Sequence, residues 1–125
     1  MNEPQVDILL AEDDDDLREA MLETLQDAGY GVATVANGSD ALDWLQDAEH
    51  LPSLILLDLM MPVMDGWQFR ALQRVDPKVS KVPVVVLSAM GAHPAIDAVE
   101  YLTKPANIAQ ILEVVARFCG PRTAR

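Results

Sequence analysis

Glu12 and Asp13, Asp58, Ser88 and Lys104 each follow a short run that reads as a strand, although they are spread over most of the sequence. If those strands share a sheet, three carboxylates, a hydroxyl and an ammonium converge on one edge. Clustered carboxylates repel one another unless a cation neutralises them, and an oxygen-only ligand set suits a hard ion such as Mg²⁺. An aspartate beside Mg²⁺ and a lysine can attack an activated phosphoryl group, because the cations offset charge on oxygens that would otherwise repel it. Asp58 is the candidate acceptor, and Glu12 and Asp13 are the candidate metal ligands. Ser88 is placed to hydrogen-bond a phosphoryl oxygen and Lys104 to pair with another.

The elements that position these residues alternate in period. Val6 to Ala11 reads as a strand closed by the acidic run Glu12 to Asp16, and Leu17, Ala20, Met21, Leu25 and Ala28 then share a helical face that Gly29 ends. Val32 to Ala36 reads as a second strand, Asn37-Gly38 as a turn and Ser39 as the cap of a helix carrying Ala41, Leu42 and Leu45. Leu54 to Leu57 is apolar without alternation, as a strand covered on both faces should be, and runs directly into Asp58. A loop from Leu59 to Asp65, a helix from Trp67 to about Val75, a strand from Val82 to Leu87 and a brief strand from Glu100 to Thr103 follow. Asn107 caps a last helix that Gly120 stops. Such alternation calls for a doubly wound α/β fold, a mostly parallel sheet with right-handed crossovers, whose functional residues collect beyond the carboxyl ends of the strands.

The sequence has 125 residues, with 20 acidic against 9 basic and a net charge of −11, which suits one acidic domain. The acidic excess disfavours nucleic acid and anionic membrane surfaces, which need Lys and Arg to neutralise phosphate. Half of the residues are hydrophobic, too many for a disordered chain. A single cysteine, Cys119, forms no internal disulfide, and neither a membrane span nor a secretion signal is evident, so a cytoplasmic location is expected.

The same residues resemble the receiver domains of two-component response regulators across nearly the whole chain. The resemblance rests on the pair Glu12-Asp13, on Asp58 with Pro62 and Gly66 after it, on Ser88-Ala89, on Lys104-Pro105 and on Tyr101 three residues before the lysine. It implies a five-stranded parallel sheet of flavodoxin-like order 2-1-3-4-5 and a receiver domain over residues 1–120; past Gly120, residues 121–125 read from the sequence as a loose tail. It implies that Asp13, Asp58 and the Met60 backbone carbonyl ligate Mg²⁺ directly, that Glu12 acts mainly through water, that Ser88 and Tyr101 form a conformational relay, and that the Lys104-Pro105 bond is cis. The implied partners are a sensor histidine kinase or histidine phosphotransfer protein and an unidentified downstream protein, with an unphosphorylated monomer. The chain is then a phosphoryl-accepting signalling domain and not an enzyme beyond its own phosphorylation and dephosphorylation.

Two departures from the family pattern stand out. Ala106 occupies a place where phenylalanine is common, and Ala89 to Val99 leaves room for a shortened fourth helix at most over Pro94 to Val99. The surface of that helix should be altered, with Tyr101 gating a groove beside the fifth strand. One rival reading is an aspartyl-phosphate phosphatase or phosphotransferase of the haloacid dehalogenase type, but Met60 stands where that class has a second aspartate. Another is a pseudo-receiver that binds protein without taking phosphate, against which the full set of site residues argues. Asp15 and Asp16 read as a solvated helix start, His50 and His93 as surface residues, and Cys119 as helix packing.

Overall fold

The computed structural model describes residues 5–89 and 96–122. Its elements, in chain order, are β1 (Ile8–Ala11), α1 (Asp15–Asp27), β2 (Val32–Val35), α2 (Gly38–Asp47), β3 (Leu54–Asp58), α3 (Gly66–Arg74), β4 (Val84–Ser88), β5 (Glu100–Thr103) and α4 (Ile108–Cys119). The strands form one parallel sheet in the order β2-β1-β3-β4-β5, the expected doubly wound arrangement.

Alternation along the strands divides the core in two. Leu9, Ala11, Ile55, Leu57, Val84 and Val86 face Ala41 and Leu45 of α2 and Phe69 of α3. Ile8, Leu10, Leu54, Leu56, Val85 and Leu87 face Met21 and Leu25 of α1 and Ile111, Val114 and Val115 of α4. Every residue of β1, β3 and β4 is buried, which explains why those segments lack a polar face in the sequence. Apolar burial on both sides thus fixes the carboxyl ends of β1, β3 and β4 beside one another.

Helix starts follow side-chain capping. Asp14, Asp65 and Asn107 accept N–H bonds at the starts of α1, α3 and α4, the last two in capping boxes. The cap of α2 corrects the expectation: Asn37, not Ser39, accepts from Asp40 N at 2.8 Å, and the helix begins at Gly38. The reason is tertiary, because the Gly38 N–H is taken by the Met64 carbonyl at 2.8 Å, which pulls the helix start back to the loop after β3. β1 and β4 begin two residues later than expected, at Ile8 and Val84. Pro83 has no N–H to give a ladder, although its carbonyl still accepts from Ile55.

Of the fourth helix expected over Pro94 to Val99, residues 96–99 are not helical, and residues 90–95, His93 among them, lie outside the described residues. Near Ala106, a cavity of about 480 Å³ opens between α1 and α4, lined among others by Leu17, Met21, Leu87, Ala106 and Ile111. Beyond α4, Arg122 pairs with Asp7 at 3.0 Å and lies over the Tyr30 ring, so this part of the expected tail is held against the sheet's far end. Among the described residues no helix is long and apolar enough to cross a membrane.

Gly66 lies where α3 meets the end of β3, and a Cβ there would stand 2.8 Å from both the Asp58 carbonyl oxygen and Leu59 Cα. Backbone cannot swing away as a flexible side chain can. Gly66→Ala is therefore expected to destabilise the fold by about 1–3 kcal/mol in urea denaturation; an unchanged midpoint would show that β3 and α3 can separate without loss.

Candidate functional site

The site lies where the strand order reverses between β1 and its neighbours, at the carboxyl ends of β1, β3 and β4. Glu12 follows β1 directly and is fully buried, with its N–H bonded to Val35 of β2. Asp58 is the last residue of β3 and 4% exposed. Ser88 ends β4 and is equally buried, and its carbonyl accepts the Lys104 N–H at 2.9 Å, bringing the β5 exit over the same edge. The Lys104-Pro105 bond is cis, as the resemblance implies.

Lys104 is the hinge of the electrostatics. Its Nζ donates to Glu12 Oε1 at 2.6 Å and stands 3.4 Å from Asp58 Oδ1. Burial alone would lower its pKa, but the Glu12 hydrogen bond and the charges of Asp58 and Glu12 outweigh this and raise it. The group is an ammonium at any pH of interest. Asp58 moves the same way for different reasons: burial first, then the hydrogen bond and charge of Glu12, push its carboxyl up to about 7 against the opposing pull of Lys104 and the Met60 N–H. One lysine does not neutralise two buried carboxylates with a third beside them.

A cation would complete the balance. Glu12, Asp13 and Asp58 each offer one oxygen, and those atoms all lie within 4.8 Å of one another. Asp13 is exposed, so the cluster opens to solvent on that side while Glu12 and Asp58 form its buried floor. An all-oxygen set with an open side fits Mg²⁺, which keeps several waters and takes few protein ligands. Met60 is fixed beside the cluster by its N–H, 3.3 Å from Asp58 Oδ1.

The structure thus gathers Glu12, Asp13, Asp58, Ser88 and Lys104 as the sequence anticipates, and it adds two supports. Arg18 NH1 donates to the Glu12 carbonyl at 2.9 Å and pairs with Asp15, clamping the β1–α1 turn, while Asp14 N donates to Glu12 Oε2 at 3.2 Å. Only the spacing of a cation one turn into an acidic helix start hinted at the first. Tyr101 stands apart from the cluster. It packs against the α2–α3 core, and its hydroxyl donates to the Ile96 carbonyl.

Comparison with known proteins agrees with this geometry. The family model of the response regulator receiver domain matches residues 8–116, and the chain belongs to that family, whose members are signalling domains of two-component systems. Response regulator Rre1 of Synechocystis is 41% identical over 92 residues, covering 73% of this chain but only 38% of that protein. The receiver protein CpdR of Brucella abortus is 33% identical, with 89% of this chain and 94% of CpdR covered. Among solved structures, the chemotaxis response regulator CheY4 of Vibrio cholerae superposes with a TM-score of 0.80 at 31% identity, covering 92% of this chain and 99% of that one. The receiver domain of a Pseudomonas aeruginosa sensor histidine kinase, solved with a magnesium ion in its active-site cleft, superposes with a TM-score of 0.81 at 27% identity, covering 90% and 96%. Membership of this family sets aside the haloacid dehalogenase reading.

The burial of Asp58, with Glu12 beside it, has a measurable consequence. The Asp58 carboxyl holds its proton in the folded state to about pH 7, whereas the unfolded chain releases it near its ordinary value of 3.8. Its contribution to stability is therefore complete at low pH and lost as pH rises through about 7 in the metal-free protein. Mg²⁺ is expected to raise the melting temperature most at and above that pH, and Asp13→Ala to lose most of the increase. Equal Mg²⁺ stabilisation of Asp13→Ala and wild type in a melting series would remove Asp13 from the coordination shell.

Proposed function

We propose that this protein is a phospho-accepting receiver in which a sensor histidine kinase or histidine phosphotransfer protein phosphorylates Asp58, changing a surface that a downstream protein reads. The observation that supports this most is the buried Asp58 carboxylate, with the Lys104 ammonium and the Glu12 and Asp13 carboxylates gathered beside it. In this reading a carboxylate oxygen of Asp58 attacks phosphorus as the P–N bond to the donor's phosphorylated imidazole breaks; the bonding pair stays on that nitrogen, and with the other ring nitrogen already protonated the group leaves as neutral imidazole. Asp13, Asp58 and the Met60 carbonyl, with Glu12 beside them, would hold Mg²⁺, which would supply positive charge to the transferring group.

The chain's own residues do the rest. Burial keeps Asp58 in one position and limits water. Lys104 neutralises an oxygen of the incoming group, moving its share of charge from Glu12 toward the phosphoryl. The Ser88 hydroxyl donates to another phosphoryl oxygen, and Tyr101 follows as the second member of the relay. The receiver unit is taken as residues 1–120, working in the cytoplasm, monomeric before phosphorylation. The surface change is the product, so the protein is a switch and not an enzyme acting on a separate substrate.

Incubation with Mg²⁺ and acetyl phosphate, followed by intact mass measurement, tests the reading. Wild type should gain one phosphoryl group, and Asp58→Asn or Mg²⁺-free protein none. Modification of wild type and Asp58→Asn alike would overturn the assignment of the acceptor.

A further inference from the structure

The stretch 96–99 enters β5 without helical structure, yet it is tied down at several points. Val99 N donates to Val84 O at 3.0 Å, and Ile96 is 3% exposed within the cluster that holds Phe69 and Val86. The remaining ties come from α3. Arg70 Nε donates to the Asp97 carbonyl at 2.8 Å, and its NH2 pairs with Asp97 Oδ2 at 3.3 Å. The third nitrogen, NH1, donates to Gln73 Oε1 at 2.9 Å. Gln73 is fully buried, and its amide nitrogen donates to the carbonyls of Val79 and Val82, just ahead of β4. The guanidinium is thus braced on a buried amide and reaches out to hold one residue of the β4–β5 connection.

That residue adjoins Ile96, whose carbonyl accepts the Tyr101 hydroxyl. A continuous set of hydrogen bonds therefore runs from the entry of β4 through Gln73 and Arg70 to Asp97, and on through Ile96 to Tyr101. Among the described residues β5 is an edge strand paired with β4, Ser88 opposite Thr103 and Val86 opposite Tyr101. The pairing ties Tyr101 to β4, and any movement of the Tyr101 side chain must break its bond to Ile96 or carry that carbonyl along.

We infer that Arg70 is a positioning residue of the switch: by clamping Asp97 it holds the Ile96 carbonyl against the Tyr101 hydroxyl and sets how readily residues 96–99 rearrange when Asp58 is occupied. This rests on the reading of Asp58 as phospho-acceptor and adds the element that resists the change. Asp97 is largely exposed, so the charge pair itself contributes little. The bond to its backbone carbonyl, held from a braced guanidinium, supplies the constraint. In this reading the clamp belongs to the unoccupied arrangement; a ligand shifts an equilibrium between two arrangements by its differential affinity for them, so weakening a clamp made in one of them favours the other.

Beryllofluoride with Mg²⁺, a phosphoryl mimic whose bound form is counted by ¹⁹F NMR, reads this directly. Arg70→Ala is expected to raise its affinity by about three- to tenfold, the range of one or two modest hydrogen bonds, while leaving Mg²⁺ affinity unchanged. Arg70→Lys, which keeps charge but not the fork, should behave nearly as the alanine variant does. In a Tyr101→Phe background the effect of Arg70→Ala should vanish. An unchanged or lowered affinity in Arg70→Ala, or an equal gain with Phe at 101, would overturn the inference while leaving the acceptor reading intact. Wild type that binds no beryllofluoride would overturn the acceptor reading and this inference with it.

Discussion

Lys104 holds its ammonium between two carboxylates that the sheet has removed from water, Glu12 at 2.6 Å and Asp58 at 3.4 Å, and the chemistry of the edge follows from that arrangement. Removing a charge from water is expensive unless it is paired, and one cation for two buried anions leaves the pairing incomplete. Burial first, and the hydrogen bond and charge of Glu12 after it, raise the Asp58 carboxyl. Asp13, on the solvent side, adds a third oxygen instead of a second counter-charge. A site left short of positive charge is one that gains from a divalent cation and, once that cation is bound, tolerates a phosphoryl group.

The fold supplies what this imbalance needs, namely rigidity. β1, β3 and β4 are buried throughout, so Glu12, Asp58 and Ser88 are carried on segments that cannot move to relieve repulsion. Arg18 and the Asp14 N–H fix Glu12 further, and Gly66 lets α3 pack against the backbone of Asp58 and Leu59. Movement is left to the periphery. β5 is an edge strand, and the connection before it depends on side chains of α3.

Much of this was legible in the sequence because burial on two faces leaves a simple signature. Leu54 to Leu57 and Val84 to Leu87 show no alternation, and the polar residue that ends each run, Asp58 or Ser88, is the one placed at the edge. Local capping chemistry marked Asn107 and Gly120 as the bounds of α4. What escaped was tertiary. Asn37 and Ser39 are both good caps, and the Met64 carbonyl that selects the former lies in a distant loop. The contacts of Arg18 with the Glu12 carbonyl and of Arg70 with Asp97 are bonds from side chains to backbone, for which residue type and spacing give little sign.

If the three carboxylates at this edge form one cation site around Asp58, diffraction from crystals grown with Mn²⁺ as a Mg²⁺ substitute, recorded at the manganese absorption edge, will locate it. One anomalous peak is predicted, in contact with the Asp13 and Asp58 carboxylates and the Met60 carbonyl, with Glu12 and Lys104 still paired behind it. Density only at other acidic positions, such as Asp15 and Asp16, with none beside Asp58, would contradict the account.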